Sequence, residues 1–359
     1  MNCLEATTSY EAWLGTQTRI VEGDLQLKHQ QMAADIFSFM RATFYRWLEL
    51  WGENCPDLSR APALLAVGDL HVENFGTWRD GEGRLIWGIN DFDEAFDLPY
   101  TNDLARLATS AHLAISANHL ALQPAHACNA ILKGYVKGLK EARPFVLAEH
   151  HDWLRHTVAG ELRDPVKFWE KLNQLPSIKS QAPRKAIKVL MDALPTRKLP
   201  YRLVHRVAGL GSLGRQRYVA LAEWNGAEIA REAKALVPSA CVWFKNKRAN
   251  NWKYERIVEG AVRCPDPSLE VRKAWVVRRL APDCSRVELG MLPKGHDEER
   301  LLEAMGRETA NVHAGSKRAI ARVKRDLNKR GAGWLHNAAK SMVRATTADW
   351  QKWSDSSTH

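Results

Sequence analysis

"VGDLHVENFG" (67–76) crowds Asp69, His71, Glu73 and Asn74 behind the short apolar run "APALLA" (61–66). Residues 62–67 read as a strand, and polar groups so dense beside a buried run are costly unless they have a role. Three roles fit that density: turn chemistry, metal ligation, or the reacting groups of an enzyme. Downstream, "RLIWGIN" (84–90) reads as a second strand, and Asp91 and Asp93 follow it directly. The intervening "WRDGEGR" (78–84) carries a glycine-rich turn, so the two strands are expected to form a hairpin. Two loops closing one hairpin would bring Asp69, Asn74, Asp91 and Asp93 into one cleft. Their hard oxygens suit magnesium, which takes one or two protein carboxylates and leaves room for phosphate oxygens. Asp69 is then the spare carboxylate that orients or deprotonates a substrate hydroxyl.

The rest of the chain sets the frame for that cleft. Its 359 residues, 45% of them hydrophobic, suffice for two or three domains or one large two-lobed unit. Charged residues, 26% of the total and mixed in sign, mark a globular rather than a disordered chain. A net charge of +11 and a pI near 9.4 bias the partners toward anions: nucleotide phosphates, acidic substrates or nucleic acid. No recognisable nucleic-acid motif or aromatic–basic interleaving is present, so nucleic acid is not the expected partner. The six cysteines (3, 55, 128, 241, 264 and 284) stand singly, which argues against zinc ribbons and disulfide frameworks and fits a reducing cytoplasm. The opening residues lack a signal-peptide pattern. The longest apolar stretch, "LARLATSAHLAISANHLAL" (104–122), is interrupted by Arg106, His112, Asn118 and His119 and reads as an amphipathic helix, not a membrane span. A cytoplasmic protein with no membrane partner is expected.

Helical spacing of Met32, Ile36, Phe39, Met40, Phe44, Trp47 and Leu48 predicts a helix over 24–52. Further helices are expected over 102–122, 124–157 and 166–174, followed by the Pro/Ser/Gln-rich connection "NQLPSIKSQAPRK" (173–185). From 201 the texture becomes strand-like: a strand, the loop "GLGSLG" (209–214), a strand, the turn Asn225–Gly226, and a third strand. "KAWVVRRLA" (273–281) is another strand, where Arg278 and Arg279 either contact phosphate or, as expected, merely flank it. From 297 the chain is again helical. Its basic run 317–330 reads as a solvated face because Ile320, Val323 and Leu327 keep core spacing. The expected organisation is α+β with a large helical portion. It comprises an N-terminal helical segment (1–57), a lobe carrying the motifs (58–175), a linker (176–200), a β-rich nucleotide lobe (201–290) and a C-terminal helical segment (291–359).

"GDLHVENFG", "NDFDEA" and "NDLARLATS" resemble an uncharacterised bacterial family, a domain of unknown function with G-D-x-H-x-x-N-F-G and N-D-F-D-E motifs. That resemblance covers most of the chain. The same stretch also resembles the catalytic core of the kinase-like small-molecule phosphotransferases, the aminoglycoside and choline kinases. Those enzymes carry an H-G-D-x-H-x-x-N loop, a strand ending in I-D-F/W, and then G-D-P-x-x-D-L-A. The resemblance implies that Asp69 is the catalytic aspartate; His71 beside it is a further catalytic candidate, or a supporting or additional metal group. Asn74 and Asp91 would be magnesium ligands, Asp93 an additional or supporting metal group, and Asp103 a structural aspartate opening the next helix. Val67 stands where the enzymes' loop has histidine.

A kinase-like site also needs a nucleotide lobe, and the 68 residues before Asp69 read as helix, too few for a separate sheet-containing lobe. The glycine loop lies downstream instead. Gly209, Gly211, Ser212 and Gly214 would permit close backbone approach to phosphates. A basic residue on the third strand would reach the same phosphates. Arg231 and Lys234 both qualify: lysine is the residue conventional kinases use, whereas Arg231 lies nearer the strand centre. The stretch "GRETANVHAG" (306–315) resembles the helix that precedes the catalytic loop in aminoglycoside-type kinases. Together these imply a protein-kinase-like two-lobed fold in permuted order, acting as an ATP- and magnesium-dependent phosphotransferase on an unidentified hydroxyl- or amine-bearing substrate, small molecule or protein. A metal-dependent phosphoesterase is the competing enzyme class, since Asp69-Leu70-His71 matches its opening motif, but its G-D-x-x-D and G-N-H motifs are missing. A non-catalytic nucleotide-binding pseudokinase is the third reading. His150, His151 and His156 miss the spacing of helical metal ligands and read as solvated.

Overall fold

The computed structural model describes residues 1–158, 164–178, 182–247, 253–284 and 297–357. The chain opens with helices Cys3–Gln17, Glu22–Ala34, Ile36–Ala42, Phe44–Asn54 and Pro56–Ser59. The helix expected over 24–52 is thus three helices. Asp35 turns extended and caps Ile36–Ala42 by accepting from Ser38 N–H (2.9 Å), and Thr43 breaks the geometry again. Four strands follow: β1 (Ala63–Ala66), β2 (Phe75–Arg79), β3 (Leu85–Ile89) and β4 (Phe96–Pro99).

Their pairing corrects the expected hairpin. The glycine-rich turn joins β3 to β2, and β1 pairs antiparallel with β4 instead. Nearly all of "FGTWR" is buried, so no alternation of polar and apolar residues marks β2 in the sequence. The turn itself is built as its residues suggest. Asp80 accepts from Glu82 N–H and Arg84 N–H, and Gly83 takes a positive φ of 75°.

Helix Tyr100–Ser116 ends where Asn118 adopts φ 56°, earlier than expected. The helix expected over 124–157 stops at Lys140. The chain then makes the two-residue strand β5 (Phe145–Val146) beside β3 and short helices Leu147–His150 and Asp152–Val158. Pro144 keeps the longer helix from running on, since the residue before a proline is pushed out of the helical region.

A five-stranded antiparallel sheet forms from β6 (Tyr201–His205), β7 (Arg217–Trp224), β8 (Ala227–Ala235), β9 (Glu270–Arg272) and β10 (Trp275–Leu280), in the order β6-β7-β8-β10-β9. Asn225 (φ 52°) and Gly226 (φ 79°) make the tight turn between β7 and β8 that the sequence signals. Both faces of this sheet are partly covered. Helix Arg184–Ala193, inside the stretch expected as a linker, packs through Ala186 and Leu190 against Ala233, Ala235 and Val277. Helix Pro165–Asn173 packs Phe168, Trp169 and Leu172 against Val204, Val219, Leu221 and Ala230 on the other face. The expected boundary near 290 lies outside the described residues.

The main core joins the N-terminal helices, β1 to β3 and helices Tyr100–Ser116, Pro124–Lys140 and Glu298–His313, with Lys317–Lys329 and Trp334–Ser357 closing it. Val323 is fully buried, and Ile320 and Leu327 pack against the same core, leaving the basic side of their helix outward. The fold is α+β. Among the described residues no helix is long and apolar enough to cross a membrane.

Candidate active site

The loop after β1 is fixed from below. The Asp103 carboxylate, in the first turn of helix Tyr100–Ser116, accepts from Val67 N–H (2.7 Å) and Gly68 N–H (3.0 Å). His313 Nε2 lies 3.0 Å from the same carboxylate, and the Tyr135 hydroxyl lies 2.8 Å from His313 Nδ1. Asp103 and His313 are fully buried, so this chain of bonds replaces the water both groups have lost. Gly68 has φ 86° and lies against the Glu94 carbonyl, where a Cβ would collide with backbone.

Asp69 emerges at the floor of a cleft. Arg106 Nε donates to Asp69 Oδ1 at 2.7 Å, and its Nη2 also pairs with that oxygen. The guanidinium is buried against the rings of Phe44 and Trp47 and donates to the Met40 carbonyl, so its position is over-determined. Burial raises the Asp69 pKa above the ordinary aspartate value, with Arg106 pulling the other way.

Asn74 ties this loop to the one after β3. Its Nδ2 donates to the carbonyls of Asp69 and Asp91, and its Oδ1 accepts from Asp91 N–H at 2.9 Å. Asp91 and Asp93 meet Lys234, whose Nζ lies 3.1 Å from Asp91 Oδ2 and 2.8 Å from Asp93 Oδ2. Burial would raise Asp91, but Lys234 and then Arg278 outweigh it and hold this carboxylate well below its usual range. Asp93 moves the other way, raised by burial and by the Asp91 charge. Its Oδ1 is buried with no hydrogen-bond partner among the described residues.

The glycine loop closes over this floor. Gly209 has φ 75°, and Leu210–Ser212 form a single 3₁₀ turn. A Cβ placed on Gly211 would sit 3.1 Å from the Arg41 carbonyl and 3.5 Å from Asp69 Oδ2, so the loop apex lies directly against the catalytic candidate. Ser212 Oγ donates to the Gly209 carbonyl and accepts from Arg217 Nη2. The resulting cleft, partly open to solvent, is lined by Asp69, His71, Asn74, Asp91, Asp93, Glu94, Gly209, Gly211, Ser212, Arg41 and Arg215 among others.

Two sequence-based candidates fall outside it. Arg231 points to the opposite face of β8, where its Nε donates to the Ala193 carbonyl. Residues 232 and 234 share the cleft face and 231 does not, because side chains alternate along a strand. Gly214 lies away from the cleft as well: its carbonyl accepts from Val21 N–H, and a Cβ there would meet Leu25. His150 bonds Arg143 and His151 packs on Phe145, away from this cleft. The His156 side chain lies outside the described residues.

Residues without an assigned role in the sequence reading also converge here. Arg215 is buried and bonds Asp93 (3.2 Å), Glu94 (3.1 Å) and the Tyr10 hydroxyl (3.3 Å). Arg41 pairs with Glu73 at 2.6 Å. Arg278 does more than flank its strand: with Arg206 and Arg217 it surrounds the buried Glu232. Adjacency was the available signal, since Arg215 follows "GLGSLG" directly and Arg106 stands within "NDLARLATS". Among the described residues, Asp69, Glu73, Asp91, Asp93 and Glu94 thus each pair with a cation, drawn from Arg106, Arg41, Lys234 and Arg215.

Residues 19–167 and 202–356 match the model of a family described as "Uncharacterized protein conserved in bacteria (DUF2252)". The chain belongs to this family. Every lining residue named above falls within the two matched segments, while 168–201, which includes helix Arg184–Ala193, falls between them. No curated protein and no solved structure matches the chain.

Proposed function

We propose that this cleft carries out ATP- and magnesium-dependent phosphoryl transfer to a hydroxyl- or amine-bearing acceptor, in a kinase-like arrangement whose nucleotide lobe follows the catalytic motifs in the chain. One observation carries the reading. Lys234, on the third strand of the late sheet, reaches Asp91 and Asp93, while the glycine loop of the same sheet lies on Asp69. A phosphate-binding cation, a close backbone loop and a carboxylate base are what positioning and charge neutralisation in this reaction require. Helix Glu298–His313 supports the permuted order, because His313 meets the aspartate that holds the catalytic loop.

The residues fit a magnesium ion: Asp91, Asp93 and the Asn74 amide oxygen are hard donors, and Asp93 Oδ1 is a buried oxygen without a protein partner among the described residues. Those three would hold the ion, which supplies charge neutralisation to the phosphates. Lys234, which pairs with the same Asp91 and Asp93 carboxylates, would carry phosphate charge beside them. Gly209 and Gly211 admit the phosphates to the backbone, and Arg106 fixes the Asp69 carboxylate. In the transfer itself, the acceptor oxygen or nitrogen bonds the terminal phosphorus, the bond from that phosphorus to the bridging oxygen breaks and ADP leaves with the electron pair. The acceptor proton passes to Asp69.

A thermal-shift titration with ATP, magnesium and both together tests the binding half, since a ligand stabilises only the state it binds. Stabilisation that needs both supports the reading, and no shift under any condition refutes it. Asp69→Asn is expected to keep that shift and lose ATP turnover. Shifts with no turnover in the unaltered protein would favour the pseudokinase reading. Phosphoester hydrolysis without ATP would favour the phosphoesterase.

A further inference from the structure

Behind the cleft, helices Tyr100–Ser116, Pro124–Lys140 and Trp334–Ser357 pack together, and each contributes one soft or borderline ligand to the same spot. His112 comes from the last turns of the first helix, Cys128 from the start of the second and His336 from the start of the third. His112 Nε2 lies 3.3 Å from Cys128 Sγ, and the His112 and His336 ring centroids are 5.2 Å apart. One ligand atom from each residue lies within 4.8 Å of the other two. His112 and Cys128 are buried, at 6% and 1% exposure. His336 Nδ1 is buried and has no hydrogen-bond partner among the described residues.

That nitrogen is the second observation. A sulfhydryl–imidazole hydrogen bond would satisfy His112 and Cys128 by themselves, but it leaves His336 Nδ1 without a partner among the described residues, and buried polar atoms seldom go unpaired. An ion held by the three side chains would engage one ligand atom of each. Bonds of about 2.1 Å to nitrogen and 2.3 Å to sulfur at tetrahedral angles place ligand atoms roughly 3.5 Å apart, close to the 3.3 Å between His112 and Cys128.

We propose that His112, Cys128 and His336 bind a thiophilic d¹⁰ cation, zinc or copper(I), as a clasp joining three helices. Thiolate and imidazole select such ions over magnesium or calcium. The set supplies one negative charge, and Lys340 is a neighbouring cation. The clasp ties the C-terminal helix to the helix that carries Asp103 and Arg106, and it shares no residue with the cleft. Binding displaces the Cys128 thiol proton to solvent, one proton per ion.

The test uses the full chain after chelation. Cobalt(II) titration is expected to produce a thiolate charge-transfer band saturating at one equivalent, and zinc titration in weak buffer to release one proton. Competition against a copper(I) chelator distinguishes copper from zinc as the preferred ion. Cys128→Ser and His336→Gln should each abolish the band and weaken zinc binding by at least about tenfold, while the melting temperatures of the chelated proteins stay similar. His336 is only partly buried, so His336→Gln remains informative if Cys128→Ser does not fold. Failure of the unaltered protein to take up zinc, cobalt or copper(I), or equal uptake by His336→Gln, overturns the proposal. Neither result bears on the ATP–magnesium reading, which the nucleotide titration decides separately.

Discussion

Replacing Glu308 with glutamine is expected to remove a pH dependence of stability that originates directly beneath the acidic loop after β3. Glu308 is buried in helix Glu298–His313, where its carboxylate oxygens take Ile89 N–H (3.3 Å) and Asn311 Nδ2 (2.8 Å) and press on Gly88 of β3. Burial pushes its carboxyl from an ordinary value of 4.5 up to about 7, with Arg263 pulling the other way. The folded protein therefore holds a proton that the unfolded chain releases between about pH 4.5 and 7, so unfolding free energy falls as pH rises through that window and levels off above it. A rise of two to three pH units at about 1.4 kcal/mol each gives a loss of about 3 kcal/mol. Glutamine keeps the shape and cannot ionise, so Glu308→Gln should match the unaltered protein near pH 5 and exceed it near pH 8 by up to that amount. Urea unfolding followed by tryptophan fluorescence from pH 5 to 8 measures both curves. Asp69, Asp93 and Asp266 are also raised by burial and shape the absolute curve, so the difference between the two proteins is the quantity to read. A difference that stays flat from pH 5 to 8 would refute the reasoning and show Glu308 ionised throughout, balanced by Arg263.

Lys234→Met should lower phosphoryl transfer by about 100-fold or more, whereas Arg231→Met, on the other face of the same strand, should leave turnover near normal; steady-state kinetics on both variants separates the two faces. Asp103→Ala strands Val67 N–H, Gly68 N–H and His313 together, and is expected to cost about 2–5 kcal/mol in chemical unfolding. Gly134→Ala should destabilise by about 1–3 kcal/mol in the same assay, because a Cβ there lands on the Glu303 carbonyl at the crossing of helices Pro124–Lys140 and Glu298–His313. Gly81→Ala is the matched control: a Cβ at that exposed turn meets open space, so the unfolding midpoint should change little.

The approach of Asp69, Asn74 and Asp91 to one another was legible because each sits beside a strand end that its neighbours announce, whereas the place of Asp103 beneath the loop was read from the family resemblance. The choice between Lys234 and Arg231 was not legible. Both are basic, three residues apart on one strand, and only the register of β8 against β7 and β10 says which faces the cleft. Strand β2 was hidden for a related reason: with nearly every residue buried, it shows no polar–apolar alternation. Arg215 and Arg106 were visible as residues, but their partners lie far away in the chain, at Tyr10, Glu94 and Asp69.

By itself, then, the chain determined its local grammar: the polar loop after β1, the acidic loop after β3, the Asn225–Gly226 hairpin and the amphipathic helices, all set by side-chain chemistry within a few residues. Tertiary structure decided that "GLGSLG" lies on Asp69, that Lys234 spans Asp91 and Asp93, and that β1 pairs with β4. Those contacts join segments separated by loops whose closure leaves no mark on local sequence, and the packing of whole sheets and helices selects them.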